Sequence, residues 1–203
     1  MNFAALINAS LSWPRQRRLR GLTGARFIID GGLVQRDAQA IGRAIMMTNP
    51  RIDGVMALYL AIRTTQAARR ESLPPLYLAA TLLQESAYNP FAVSISGAIG
   101  IAQFMPATAS DREVNPFDPY ASIDAAAAML SGYLAHYQNF PDETPGGDPY
   151  ALALAAYNAG PGAVARHHGV PPYPETLQYI AFIRMRWDRM RRYEGRGRIL
   201  MRR

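Results

Sequence analysis

The chain of 203 residues contains no cysteine and no lysine. Without cysteine there are no disulfides and no thiolate metal sites, and cysteine usage gives no information on the redox compartment. No run of about 20 apolar residues occurs, so no transmembrane helix is expected. Strand-like alternation, internal repeats and low-complexity tracts are absent as well. With 49% apolar residues and moderate charge, the composition indicates a folded, mostly α-helical protein of one main domain.

All the basic residues are arginines, and their excess lies at one end of the chain. Residues 184–203 hold nine arginines against Asp188 and Glu194, whereas residues 1–183 hold 13 arginines and 13 acids. The net charge of +7 therefore belongs to the C-terminal end. Such an Arg-rich tail could contact an anionic wall polymer, a membrane surface or nucleic acid, or be a solvated helix end. The sequence leaves these alternatives open.

The N-terminal segment does not have the order of a secretory signal. Its short apolar stretch, residues 3–11, precedes the basic cluster at 15–20, whereas a signal peptide places the charge first. We therefore expect no signal peptide.

Apolar periodicity and breaker residues predict the helices. These cover approximately residues 34–47, 53–70, 72–87, 122–137, 150–157, 163–167 and 175–192. Residues 27–29 read as a short strand or packing strip, 91–104 as a loop of small residues, and 141–149 as a surface loop. A short helix is expected to start at Pro106. The helix over 72–87 is apolar nearly all round, which predicts a central buried element.

Glu85 stands where that buried helix meets a polar, glycine-rich loop. Burial disfavours the charged form of a carboxyl group and raises its pKa, and the negative end of the helix dipole acts in the same direction. A carboxyl group that stays protonated near neutral pH can donate its proton to a leaving oxygen. Glu85 is therefore the candidate general acid.

Four motifs in order resemble those of lytic transglycosylases with a lysozyme-like, soluble-transglycosylase catalytic domain. Glu85-Ser86 with Asn89-Pro90 is followed by residues 96–108 (SGAIGIAQFMPAT), 156–162 (AYNAGPG) and 175–180 (ETLQYI). The family's Gly-Leu-Met-Gln core is Gly-Ile-Ala-Gln here, which bears on substrate preference. The resemblance implies a lysozyme-like α domain over 72–185. Residues 1–71 are then a partly helical N-terminal extension, which could dock to a partner or simply pack against the domain, and residues 186–203 are an Arg-rich tail.

The resemblance also implies a reaction with one carboxyl group instead of the usual two. Glu85 would protonate the oxygen between N-acetylmuramic acid and N-acetylglucosamine, while the muramyl acetamido group stabilises the developing positive charge. As a carboxylate, Glu85 would then take the proton of the muramyl 6-hydroxyl, which closes into a 1,6-anhydro product. The implied partner is the peptidoglycan glycan strand, and no cofactor is implied.

Supporting residues are expected around Glu85 on both sides of the cleft. Ser86 would hydrogen-bond Glu85 or the acetamido group, and Gln103 would bind sugar amides. Gly97 and Gly100 would let the backbone approach the glycan closely. Ser86 could equally be a capping residue, and the same holds for Asn158 of the third motif.

The third and fourth motifs supply aromatic hydroxyls. Tyr157 would hydrogen-bond the acetamido group or support Glu85, Asn158 would hold the loop or the sugar, and Tyr179 would reach back to Glu85. As isolated residues, the two tyrosines would be read as core aromatics. Glu175 is best explained as stabilising the first turn of its helix.

The remaining carboxylates and the histidines are assigned no chemistry. Solvent exposure is expected for Asp111, Glu113 and Asp118. The three histidines, at 136, 167 and 168, have no acidic or thiol partners at ligand spacing, so no metal site is predicted.

Several functions remain compatible with the sequence. A lysozyme-type muramidase would hydrolyse the same bond, and a non-catalytic glycan-binding component of a virion or secretion machine would only bind it. Without a signal peptide the chain needs a route to the wall, and we favour a phage virion that docks residues 1–71 and reaches the periplasm on entry. A bacterial periplasmic location by another route is the alternative. Exo or endo mode, glycan length and oligomeric state are not determined.

Overall fold

A computed structural model describes residues 32–138 and 147–196. Eight helices make up this part of the chain: α1 (Gly32–Thr48), α2 (Gly54–Arg70), α3 (Pro75–Ser86), α4 (Pro106–Asp111), α5 (Pro119–Gln138), α6 (Pro149–Ala159), α7 (Pro161–Arg166) and α8 (Pro174–Arg196). Two isolated antiparallel bridges join Val93 to Ile99 and Ile99 to Phe104, and the described residues contain no strand. The predicted mostly α class is confirmed. The strand or packing strip expected at 27–29 lies outside the described residues.

Helix α3 lies at the centre of the bundle, as its all-round apolar sequence predicts. Residues 76–83 are all buried, and the helix packs against α1, α2, α5 and α8. Proline at its first positions suits the start of a helix, where the missing N–H is not needed. The helix ends at Ala87, which has left-handed backbone angles. Glu85 is thereby held at the last turn of a rigid element.

Helices α1 and α2 pack onto this core. Asp53 caps α2 by accepting hydrogen bonds from the backbone N–H groups of Val55 and Met56, both at 2.9 Å. Helix α1 contacts α2, α3 and α8. The predicted N-terminal extension is thus, over its described residues, part of the same bundle as the catalytic motifs.

Arginine–carboxylate pairs link these helices to one another. Arg69 of α2 reaches Asp37 of α1 at 2.7 Å, and Arg70 reaches Asp124 of α5 at the same distance. Arg63 pairs with Asp124 as well. Because these pairs are partly exposed, each is expected to contribute about 1 kcal/mol or less. They therefore link α2 to α1 and α5 but contribute little to the stability of the fold.

Helices α6, α7 and α8 carry the third and fourth motifs to the C-terminal end of α3. Helix α6 packs against α5, α7 and α8, and α8 also packs along α3. The rings of Tyr77, Tyr150 and Trp187 pack together, with centroids 5.0 to 5.2 Å apart. Helix α8 runs without a break through residue 185 to Arg196, so its helical structure extends into the predicted Arg-rich tail. None of the described helices combines the length and apolar character needed to cross a membrane.

Candidate active site

Glu85 occupies the last turn of α3, with its side chain partly buried. Burial raises the pKa of Glu85 from its ordinary value of 4.5 to about 8. The hydrogen bond from Tyr179 lowers that pKa, and the charge of Glu175 raises it, but both effects are smaller than burial. The carboxyl group is therefore largely protonated at neutral pH while it still has access to solvent. This is the state that a general acid requires.

Tyr179 donates a hydrogen bond from its hydroxyl to Oε1 of Glu85. The contact joins α8 to α3 and is the one that the sequence predicted. Burial, and next the charge of Glu85, raise the pKa of Tyr179 well above its ordinary value. The tyrosine hence remains a donor over the working range of pH. Whether the contact serves catalysis stays a prediction.

Tyr157 lies near the end of α6. Its hydroxyl donates a 2.9 Å hydrogen bond to the backbone carbonyl of Ala102 in the loop between α3 and α4. Burial raises the pKa of Tyr157 most, followed by the charge of Glu85, which lies close enough to act on it. Tyr157 thus ties the third motif to the second. A contact with the acetamido group stays a prediction.

Ser86 makes different contacts from those expected. Its hydroxyl donates to the carbonyl of Ile101 at 2.9 Å and accepts from the backbone N–H of Asn89 at 3.1 Å. The expected bond to Glu85 does not form, because the only hydroxyl proton of Ser86 is used by Ile101. Ser86 serves instead as the local cap that the sequence offered as an alternative. It fixes the loop after Glu85 onto residue 101.

Gln103 forms hydrogen bonds to the backbone of the same loop between α3 and α4. Its Nε2 donates to the carbonyls of Gly100 at 2.9 Å and Ala92 at 3.3 Å. The residue itself has a positive φ of 51°, which is uncommon for a side chain other than glycine. Since the amide nitrogen is already bonded in the loop, the carbonyl oxygen of Gln103 is the better candidate for a sugar amide.

The two glycines of the second motif have different environments. A Cβ on Gly100 would lie 1.8 Å from the carbonyl oxygen of Pro116, and the φ of Gly100 is +76°. Its close backbone neighbour is thus Pro116, and an approach of the glycan to Gly100 stays a prediction. Gly97 also has a positive φ, of 85°, but nothing lies within 4 Å of its Cβ position. An approach of the glycan to Gly97 stays a prediction.

Asn158 is held by a residue that the sequence analysis did not single out. The buried hydroxyl of Thr176 donates to Oδ1 of Asn158 at 2.8 Å. This bond joins the end of α6 to the first turn of α8, the two elements that present Tyr157 and Tyr179. The only sequence signal for Thr176 was its position three residues before Tyr179 in the fourth motif. Its contact with Asn158 depends on how the two helices pack.

The other acidic residues and the histidines make none of the hydrogen bonds described around Glu85, although the charge of Glu175 acts on its pKa. Exposure is confirmed for Asp111, Glu113 and Asp118. Glu175 lies exposed in the first turn of α8, as predicted. His167 contacts the Tyr173 hydroxyl at 3.2 Å. Across residues 32–138 and 147–196, no three His, Cys, Asp or Glu side chains come together in a way that could hold a metal ion.

Known proteins of similar sequence are named after one activity. The chain is 34% identical over 124 residues to the membrane-bound lytic murein transglycosylase C of Mannheimia succiniciproducens, covering 53% of this chain and 33% of the relative. It is 40% identical over 88 residues to the membrane-bound lytic murein transglycosylase F of Shewanella pealeana, covering 43% and 18%. The chain thus spans a third or less of the length of these relatives.

The chain is also similar to solved lytic transglycosylase structures and to a family model. An inactive mutant of the lytic transglycosylase Slt from Pseudomonas aeruginosa superposes with a TM-score of 0.54 at 25% identity, covering 65% of this chain and 24% of that one. The 70 kDa soluble lytic transglycosylase from Escherichia coli gives 0.50 at 25% identity, covering 79% and 29%. The family model of the transglycosylase SLT domain matches residues 63–176, more than half of the chain, including Glu85, Gln103 and Tyr157 but ending before Tyr179. The chain belongs to the transglycosylase SLT domain family.

Proposed function

We propose that this chain is a peptidoglycan lytic transglycosylase that cleaves the β-1,4 bond between N-acetylmuramic acid and N-acetylglucosamine. The observation that carries the proposal is the Glu85 carboxyl, whose pKa of about 8 keeps it largely protonated at neutral pH and which accepts a hydrogen bond from the Tyr179 hydroxyl. Membership of the SLT domain family and the names of the two relatives support it.

In the first step of the proposed reaction, Glu85 acts as the acid. Its proton passes to the glycosidic oxygen, and the bond between that oxygen and the muramyl anomeric carbon breaks. The muramyl acetamido carbonyl stabilises the positive charge that develops at this carbon. The carboxylate that remains is stabilised by the hydrogen bond from Tyr179.

In the second step, Glu85 acts as the base. The carboxylate removes the proton of the muramyl 6-hydroxyl, and the oxygen forms a bond with the anomeric carbon. The product is a 1,6-anhydro ring, no water is consumed, and Glu85 is again protonated. A single group that alternates between acid and base works best with a pKa near the working pH.

The test compares purified protein with its Glu85→Gln variant on purified peptidoglycan. We expect Glu85→Gln to lose activity by about two to four orders of magnitude, the range for removal of a general acid–base group, with the fold retained. The matched control is Asp111→Asn, which removes an exposed carboxylate outside the site and should leave the rate unchanged. Near-wild-type activity in Glu85→Gln would refute the assignment.

Mass spectrometry of the released muropeptides separates the lyase from the lysozyme-type hydrolase. Anhydro ends support the proposed reaction, whereas reducing ends carrying one added water indicate hydrolysis. A glycan-binding component without catalysis would yield neither product and would still sediment with insoluble peptidoglycan.

We further propose a phage virion as the setting, in which local wall opening accompanies entry. Exposed apolar side chains on α1 and α2, namely Met46, Met47 and Tyr59, offer a surface for a particle protein. Pull-down of particle proteins by the full chain, against a Met47→Ser and Tyr59→Ser double variant, tests the docking. A virion proteome without the protein would contradict it.

A further inference from the structure

Two residues directly after the catalytic turn have left-handed backbone angles. Ala87 has φ 52° and ψ 38°, and Tyr88 has φ 61°. Left-handed angles suit glycine or asparagine at the end of a helix, but are unfavourable for alanine and for a large aromatic residue. Strained residues of this kind persist only where surrounding contacts hold them. The contacts around Ala87 and Tyr88 therefore help to determine where Glu85 lies.

The first of these contacts comes from the turn between α1 and α2. Asn49 Nδ2 donates to the carbonyl of Ala87 at 3.0 Å, across 38 residues of sequence. The other end of the same amide accepts a hydrogen bond from the backbone N–H of Arg51 at 3.2 Å. The Asn49 backbone N–H donates to Ile45 at 2.7 Å, which fixes Asn49 to the end of α1. Asn49 thus connects a rigid turn to the residue two positions after Glu85.

The second contact comes from α2. The hydroxyls of Tyr88 and Thr64 lie 2.9 Å apart, and both side chains are fully buried. The Thr64 hydroxyl donates to the carbonyl of Leu60 at 2.8 Å, so its single proton is used and Tyr88 must be the donor to Thr64. The aromatic ring is therefore locked against α2. Ala87 and Tyr88 are held from the same side of the bundle.

We propose that Asn49 is a positioning residue for Glu85: it holds Ala87 in its left-handed conformation and so sets the direction in which the last turn of α3 presents the carboxyl group. Asn49 lies before residue 63, where the match to the SLT domain begins. The α1–α2 turn then belongs to the active site of this chain as well as to its fold. The inference rests on the proposed function of Glu85.

Three variants test the contact. Asn49→Ala removes both amide contacts, and Asn49→Asp removes the donor to Ala87 but keeps an acceptor for Arg51. We expect both to lower kcat about fivefold to tenfold, the effect of one net hydrogen bond, with little change in KM. Asn115→Ala is the matched control, because Asn115 accepts the same kind of local bond, from Phe117 N–H at 3.1 Å, in another loop. That control should keep wild-type kcat.

A rescue experiment separates positioning from general stability. Glycine takes the left-handed conformation without strain, so Ala87→Gly should make the contact from Asn49 less necessary. In the Ala87→Gly background, we expect Asn49→Ala to lower kcat by less than about twofold. The proposal would be overturned if the single Asn49 variants kept wild-type kcat and only lost stability, and if Ala87→Gly did not reduce that loss.

A titration of Glu85 keeps this test apart from that of the proposed function. The groups that face its carboxyl are Tyr179 and Glu175 from α8 and Tyr157 from α6. NMR of carbon-labelled glutamate should show a lower Glu85 pKa in Asn49→Ala, since a turn that loosens admits water to the carboxyl group. This measurement does not require the protein to be active. If the Glu85 pKa is unchanged in both Asn49 variants, the positioning role is refuted. If the pKa is lower in Asn49→Ala but the wild type does not cleave peptidoglycan, only the proposed function is refuted.

Discussion

The Tyr179 hydroxyl donates to the carboxyl group of Glu85, a residue 94 positions earlier in the chain. The bond joins the first turns of α8 to the last turn of α3. It favours the carboxylate form of Glu85, which burial disfavours. The two opposing effects leave the pKa of Glu85 at about 8, a value that allows the group to donate a proton and then to take one back.

Tyr179→Phe should slow the reaction and move its pH dependence. A hydrogen bond to a charged group contributes about 1.5–3 kcal/mol, so kcat should fall about 10- to 100-fold. Because the lost bond lowers the pKa of Glu85, that pKa should rise further, and the alkaline fall in kcat/KM should move to higher pH. The rate on purified peptidoglycan between pH 5 and about 10 measures both effects. Tyr59→Phe, at an exposed tyrosine of α2, is the control. An unchanged alkaline limb in Tyr179→Phe would contradict the assignment.

Loss of the proton from Glu85 should make the protein less stable as pH rises. The folded pKa of about 8 exceeds the ordinary value of 4.5, so between these values the folded state binds more protons than the unfolded state. The contribution of the buried, protonated Glu85 to the free energy of unfolding is thus fully present below about pH 4.5 and is lost as pH rises to about 8. One pKa unit corresponds to about 1.4 kcal/mol, and for this partly exposed group we expect a total of roughly 2–4 kcal/mol.

Urea unfolding of the wild type and of Glu85→Gln at several pH values isolates this effect. Other titrating groups cancel in the difference between the two proteins. Glu85→Gln should gain stability relative to the wild type between pH 5 and 8, and the gain should level off above about pH 8. A difference that does not vary with pH would show that the folded pKa of Glu85 is ordinary.

Gly100→Ala should destabilise the protein more than Gly97→Ala. Both substitutions place alanine at a positive φ, which costs about 1–2 kcal/mol. Only Gly100→Ala also drives a Cβ into the carbonyl oxygen of Pro116, and such overpacking adds about 1–3 kcal/mol. Thermal unfolding of the two variants provides the comparison. Equal losses of stability would mean that the loop moves aside at Pro116 without cost.

Thr176→Val should reduce activity through Asn158. The substitution keeps the shape of the buried side chain but leaves Oδ1 of Asn158 without its 2.8 Å donor. We expect kcat to fall about fivefold, in line with one neutral hydrogen bond, because α6 and α8 are no longer tied beside Glu85. Thr176→Ser keeps the hydroxyl and should restore the rate. If serine fails to restore kcat while stability returns, Thr176 acts through packing alone.

The helices were largely predictable because their signals are local. Periodicity and proline starts predicted α2, α3 and α8 to within a few residues of the observed ends. The sequence left open whether α1 and α2 dock to a partner or pack against the domain, and in the structure both pack against α3. The Arg69–Asp37 pair and the Asn49–Ala87 bond join residues 32 and 38 positions apart, and no local pattern encodes such contacts.

At the site, the sequence identified the reacting group better than its surroundings. Glu85 and Tyr179 were expected to meet, and they do. Ser86 was expected to bond the carboxyl group or the acetamido group, or to act as a cap, and its hydroxyl bonds to the Ile101 carbonyl and the Asn89 N–H. Gly100 was expected to let the glycan approach, which stays a prediction, and the close contact of its backbone with Pro116 was not foreseen. Thr176 was overlooked, because its role exists only where two helix ends meet.

The sequence by itself determined that the chain is helical, that α3 is central and that Glu85 ends it, since periodicity, apolar content and breaker residues act over a few turns. The tertiary structure decided how strongly burial raises the pKa of Glu85, which hydroxyl orients it, and which distant turn holds the backbone beside it. Those properties depend on side chains far apart in the chain. Their distances and solvation are fixed only when the helices pack.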